Sequence, residues 1–172
     1  MPRTLKIIIT GPFNAGKTQF IKTVSEIKVA STERRLSSAD ERKIKKQTTV
    51  AMDYGRVTID DDTLQLFGTP GQDRFDFMWE ILAEEMNGFI VIVDSTDKNS
   101  FPEAKALIKL FSKFEKVPYL VAANKQDQKS ALKPNDIHQL LGLPAKISVV
   151  PVIATDRRSV RRVLVEMAET IK

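Results

Sequence analysis

Positions 11–18 read GPFNAGKT: Gly11, four residues, then Gly16, Lys17 and Thr18. Types and spacing both have a chemical reading. Backbone N–H groups of such a glycine-bounded loop turn inward around a phosphate, and the N-terminus of a following helix adds partial positive charge. Lys17 is placed to reach β- and γ-phosphates, and the Thr18 hydroxyl to ligate Mg²⁺. Phe13, Asn14 and Ala15 within the loop, and Gln19 just beyond it, are further nucleotide-binding candidates.

A second constellation chooses the base. Asn124-Lys125-Gln126-Asp127 follows the apolar run PYLVAA (118–123) about a hundred residues later. The Asp127 carboxylate can accept two hydrogen bonds from guanine, one from N1–H and one from the exocyclic amine. Adenine has an acceptor at N1 and lacks that amine, so the carboxylate would lose its partners at a desolvation cost. GTP or GDP with Mg²⁺ is therefore the implied cofactor pair. Asp127 argues against an ATPase or kinase.

These residues need elements to hold them. Continuous apolar runs mark strands buried on both faces of a parallel sheet, and four occur: LKIII (5–9), GFIVIVD (88–94), PYLVAA and ISVVPVI (147–153). Helical spacing lies between and after them. QFIKTVSEI follows the phosphate loop; Ala104, Leu107, Ile108 and Phe111 share one face of 101–114; Val160, Val163, Leu164, Met167 and Ile171 share a face of 159–171. VAMDYGRVTI (50–59) and TLQLF (63–67), joined by three aspartates, read as a hairpin. The expected fold is α/β and doubly wound: a mostly parallel six-stranded sheet with one antiparallel edge strand, in a single domain over residues 1–172. The polar stretch 28–48 is long for a connection inside a compact domain, which points to function.

Bulk properties bound the rest. With 172 residues, 42% apolar, the chain is of single-domain size, and it has no cysteine for disulfides, thiolate metal sites, prenylation or palmitoylation. The start MPRTLKIIITG is too short in apolar residues for a signal peptide or span, and Pro2 excludes myristoylation. A cytoplasmic protein without a lipid anchor is expected. The net charge of +5 is modest, and its basic stretches carry no interleaved aromatics, so no nucleic-acid partner is expected. Arg157, Arg158, Arg161 and Arg162 fall in the first turns of a helix, where the dipole disfavours cations. That placement suits a solvated face or an acidic partner. His138, without His or Cys companions, is not a metal ligand.

With these motifs in place, the chain resembles a Ras-like small GTPase, a P-loop G domain, over essentially its whole length. TVAMDYG and the Pro70 of TPGQ most resemble the prokaryotic MglA-like branch; Arf-like and Rab-like proteins share the general scheme. The resemblance implies further roles. Thr49 (or Thr48, one residue away) would ligate Mg²⁺ and touch the γ-phosphate. Gly71 would offer its N–H to the same phosphate, and Gln72 would orient the attacking water. Asn124, Lys125 and Asp127 match the guanine motif. Ala154 matches the residue whose N–H reads guanine O6, with Thr155 beside it, although Ile153 and Thr155 make that loop a weak match. Catalysis would thus fall to Gln72, Lys17 and Thr49, and the metal to Thr18 and Thr49.

Two departures stand out. Most relatives carry a magnesium-holding aspartate where this chain has Gly68; Asp53, Asp73 and Asp94 are candidate replacements. Otherwise Thr18, Thr49, phosphates and water hold the metal, binding it more weakly and making nucleotide release less dependent on chelator. Phe13 occupies a position that is often glycine, where a ring would crowd an arginine finger from a partner or simply pack outward. In the first case activation would use Gln72 or an arginine of this chain: Arg74, or Arg34 and Arg35. The implied function is a switch with slow intrinsic hydrolysis, about 10⁻⁴–10⁻² s⁻¹, acting on effector and activating proteins through residues 28–55 and 68–86. A Roadblock-type activator fits the MglA-like resemblance, and a nucleotide-held scaffold with little hydrolysis is the alternative.

Overall fold

The computed structural model describes residues 2–31, 53–69 and 76–171. Thr48, Thr49, Gly71, Gln72, Asp73, Arg74, Arg34 and Arg35 lie outside them.

Apolar residues on both faces put β1 (Thr4–Thr10) and β5 (Gly88–Asp94) at the centre of the sheet. Side chains along β1 alternate between two cores: Ile7 and Ile9 enter one, Ile8 the other. Around them the strand order is β2-β3-β4-β1-β5-β6-β7, with β2 at Ala30–Ser31, β3 at Asp53–Ile59, β4 at Asp62–Gly68, β6 at Tyr119–Asn124 and β7 at Val149–Pro151. β1 runs parallel to β4 and β5, and β6 lies parallel between β5 and β7. Only β3 opposes them. The mixed six-stranded sheet expected from the sequence is present. The short β2 pairs antiparallel with β3, so β3 is not quite the edge.

Helices cover both faces. Against the Ile7 and Ile9 core lie α1 (Lys17–Val24) and α5 (Arg157–Thr170); against the Ile8 core lie α2 (Asp76–Ala83), α3 (Phe101–Phe114) and α4 (Pro134–Leu140). The apolar faces expected of α3 and α5 are the buried ones. Trp79 is a core residue, 3% exposed and stacked on Phe111 at 6.1 Å between ring centroids. Two boundaries move from expectation. α1 stops at Val24 because Ser25 turns extended and its hydroxyl receives the N–H groups of Ile27 and Arg56. β7 keeps only three residues, after which the chain turns so that the Ala154 N–H meets the Asn124 side chain at the end of β6.

The hairpin is tight: Ile59 pairs with Asp62, and Asp60 takes φ 53°. Arg3 clamps it through its side-chain bonds to Asp62, while Nη1 reaches the carbonyl of Ile171 at 2.6 Å, joining β3–β4 to the end of α5. Among the described residues no helix is long and apolar enough to cross a membrane.

Candidate nucleotide and metal site

The carboxyl ends of β1, β5 and β6 meet at one rim of the sheet, where ligands of open α/β sheets bind. β1 delivers the loop. Gly11 (φ 151°) and Gly16 (φ 109°) take conformations that side-chain-bearing residues rarely adopt. Space forbids a side chain at both: a Cβ on Gly11 would sit 2.2 Å from the carbonyl oxygen of Ile92, and one on Gly16 2.3 Å from Asn124 Nδ2. The sequence thus sets a bare backbone cradle against the N-terminus of α1, which has no side-chain cap to compete for its N–H groups.

Lys17 closes the cradle, donating from Nζ to the carbonyls of Gly11 at 2.5 Å and Pro12 at 3.1 Å. Burial lowers its pKa to about 8, against the weaker upward pull of Glu103 and Asp53. Glu103 also accepts from the Phe13 N–H at 3.3 Å. No motif announced this carboxylate; it reaches the loop only because α3 packs beside β5. The Phe13 ring points outward, 69% exposed.

Asn124 joins phosphate loop to base pocket. Its side chain, 3% exposed, donates from Nδ2 to the carbonyl of Ala15 at 2.8 Å and accepts at Oδ1 from the Ala154 N–H at 2.9 Å. Beside it a cavity of about 250 Å³ is lined by Gly16, Gln19, Asn124, Lys125, Asp127, Gln128, Ile153, Ala154 and Thr155. The predicted base-side residues therefore do converge. The Ala154 N–H, expected to read guanine O6, is already engaged by Asn124, so a base carbonyl would have to share it. Thr23 adds a brace that sequence reading missed, its hydroxyl donating to the carbonyl of Ala154. Gln126, an unassigned residue of the motif, pins the loop to Ser95 Oγ at 2.8 Å and the Leu132 carbonyl at 2.9 Å.

Of the candidate replacement acids, Asp94 is committed elsewhere. Burial pushes its carboxyl up, but hydrogen bonds from Lys125 and Thr96 outweigh that and hold it below its ordinary value; the Lys125 contact is 2.7 Å. Asp53 instead accepts from the Thr18 hydroxyl, Oγ1 to Oδ2, at 2.5 Å.

A nucleotide with Mg²⁺ fits these residues. The glycine cradle leaves backbone where phosphate must approach, and Thr18 and Asp53 offer the hard oxygens that Mg²⁺ prefers. A larger groove of about 740 Å³ lies between α4, β7 and α5, lined in part by His138, Ile147 and Arg162, but it includes none of the predicted nucleotide residues.

Comparison with known proteins points the same way. A model of the ADP-ribosylation factor (Arf) family matches residues 1–171. ADP-ribosylation factor-related protein 1 of Rattus norvegicus is 34% identical over 134 residues, 76% of this chain and 64% of that protein. ADP-ribosylation factor-like protein 3 of Saccharomyces cerevisiae is 30% identical over 138 residues, 78% of this chain and 66% of that protein. An uncharacterized protein of Methanocaldococcus jannaschii is 33% identical over 123 residues, 72% of this chain and 71% of its own length. The chain spans just under two thirds of the length of these rat and yeast relatives.

Proposed function

Since the chain belongs to the ADP-ribosylation factor family of Ras-like small GTPases, we propose that it is a guanine-nucleotide switch: a single G domain that hydrolyses GTP slowly and engages partners through residues 28–55 and 68–86. One observation carries the reading. Buried Asn124 bonds both to the phosphate loop at Ala15 and to the base-pocket loop at Ala154, so the two halves of a nucleotide site share one wall.

The roles follow from the residues. The amides of Gly11–Thr18 and the Lys17 ammonium receive the polyphosphate; Asp127 receives the N1–H and amine of guanine. Thr18 and Thr49 would hold Mg²⁺, whose charge, when bound, offsets that on the β- and γ-oxygens. Gln72 aligns the attacking water, Gly71 offers an amide to the γ-phosphate, and the lysine and loop amides favour the transition state's equatorial charge. Loss of the γ-phosphate frees both switch segments, which is the signal. A cytoplasmic setting, the MglA-like branch and a Roadblock-type activator are the finer reading, supported by TVAMDYG and Pro70.

Gly68 and the exposed Phe13 favour a second reading, a nucleotide-held scaffold that recruits partners with little turnover. Single-turnover conversion of γ-labelled GTP by the purified chain, beside Gln72→Ala and an ATP lane, separates the two. Slow, GTP-selective phosphate release that falls in the variant is expected of the switch. Tight GTP binding without conversion, alone or with an activating partner, belongs to the scaffold.

A further inference from the structure

We infer that Asp53 is the acid of the magnesium site, brought in from β3 to serve the place that an aspartate at position 68 of β4 would otherwise fill. The inference rests on the nucleotide reading above and deepens it.

Register supplies the first argument. Asp53 pairs directly with Gly68, the last residue of β4, and Gly68 in turn pairs with Ile9 beside the phosphate loop. Strand alternation puts Asp53, Gly55 and Val57 on the same face as Gly68, Leu66 and Leu64, the face that α1 covers. A carboxylate at 53 is therefore a strand's width from one at 68, under the first turn of α1.

The helix also lies very close to that face. A Cβ on Gly55 would meet Ile21 Cγ2 at 2.6 Å and Ser25 Oγ at 3.0 Å. At Gly68 it would meet Ile21 Cδ1 at 2.9 Å and Asp53 Cβ at 3.4 Å. Two missing side chains let α1 settle onto β3–β4 through Ile21, and Thr18, three residues earlier on the helix, comes within reach of β3. Position 68 has thus not merely lost an acid. Its bareness is part of what seats Asp53.

The chemistry of the pair agrees. The Thr18 hydroxyl spends its single proton on Asp53 Oδ2, which leaves the oxygen's lone pairs for a cation. The carboxylate adds negative charge and a second oxygen able to accept from metal-bound water, as outer-sphere carboxylates do. Asp94, the other candidate acid among the described residues, is tied to Lys125 and Thr96.

The consequence reverses the expectation of a weakly held metal, and release of a fluorescent GDP from the purified, loaded chain tests it. In the wild type, EDTA should speed release by about 10-fold or more. Asp53→Asn should raise the Mg²⁺ concentration that half-protects the complex by about 10–100-fold. It should leave the release rate in excess EDTA near that of the wild type, whereas mere structural damage would speed that rate too. A wild-type release rate indifferent to EDTA would overturn the inference whether or not the variant folds, as would an unmoved Mg²⁺ midpoint in Asp53→Asn. Failure of the wild type to retain GDP at all would overturn the nucleotide reading, and this inference with it.

Discussion

The base corner and the metal corner of this site are built in opposite ways. At the base corner, one buried side chain, Asn124, makes two hydrogen bonds to backbone groups on either side of it. Its partners are main chain, and the wall stands before a ligand arrives. The metal corner depends on a contact between two side chains, Thr18 and Asp53, from elements that meet only because Gly55 and Gly68 leave room for Ile21. One corner is specified by a contiguous motif, the other by strand register and helix height. Substitutions should therefore damage stability at the first and metal dependence at the second.

The largest effect is expected from Asn124→Ala, which leaves the Ala15 carbonyl and the Ala154 N–H without their partner in a buried place. At about 1–3 kcal/mol for each of the two orphaned groups, the fold should lose about 2–6 kcal/mol, read as a shift in denaturant midpoint with an unchanged slope. A loss below about 0.5 kcal/mol would break the comparison. Asp127→Ala comes next. Exposed and at the pocket's rim, it should leave stability within about 0.5 kcal/mol yet weaken GDP by about 10–100-fold and erode the preference over ADP, both read by titration.

The Lys17 ammonium sharpens the contrast through pH. Burial sets its pKa near 8 in the free chain, below the 10.5 of an ordinary lysine. Phosphate oxygens raise it again on binding, so nucleotide affinity should fall as pH rises above about 8 and binding should take up a proton there. The unliganded fold should move the other way. Between about 8 and 10.5 the unfolded chain holds more protons than the folded one, so stability rises with pH. Calorimetry in buffers of different ionisation enthalpy, with denaturation across the same window, reads both signs. The smallest effect belongs to Phe13→Gly: with the ring 69% exposed, stability should change by no more than about 0.5 kcal/mol and GDP affinity little. A stimulated hydrolysis rate that differs from wild type would give the ring its role toward an activating partner; an unchanged rate would remove it.

Much of this was legible in the sequence, for physical reasons that differ by region. GPFNAGKT and NKQD are local: their chemistry is carried by neighbours in the chain, and buried parallel strands announce themselves as unbroken apolar runs such as GFIVIVD. The helical faces of α3 and α5 were equally plain from spacing. Three acids remained open as replacements at position 68, because choosing among them needs the pairing of Asp53 with Gly68 and the capture of Asp94 by Lys125. Neither follows from composition or periodicity. Glu103 and Thr23 were missed for the same reason, since tertiary packing alone brings them to the loop. The expected free N–H of Ala154 ignored that a buried asparagine must fill its own acceptor. The switch residues Thr49 and Gln72 lie outside the described structure and keep the roles that the family resemblance implies.

The most direct measurement is the ratio of GDP to ADP affinity for the wild-type chain, titrated in the same Mg²⁺ buffer. A pocket built around Asp127 predicts that GDP binds tighter by about 10³-fold or more. Equal affinities would contradict the assignment of this wall to guanine and, with it, the reading of the chain as a guanine-nucleotide switch.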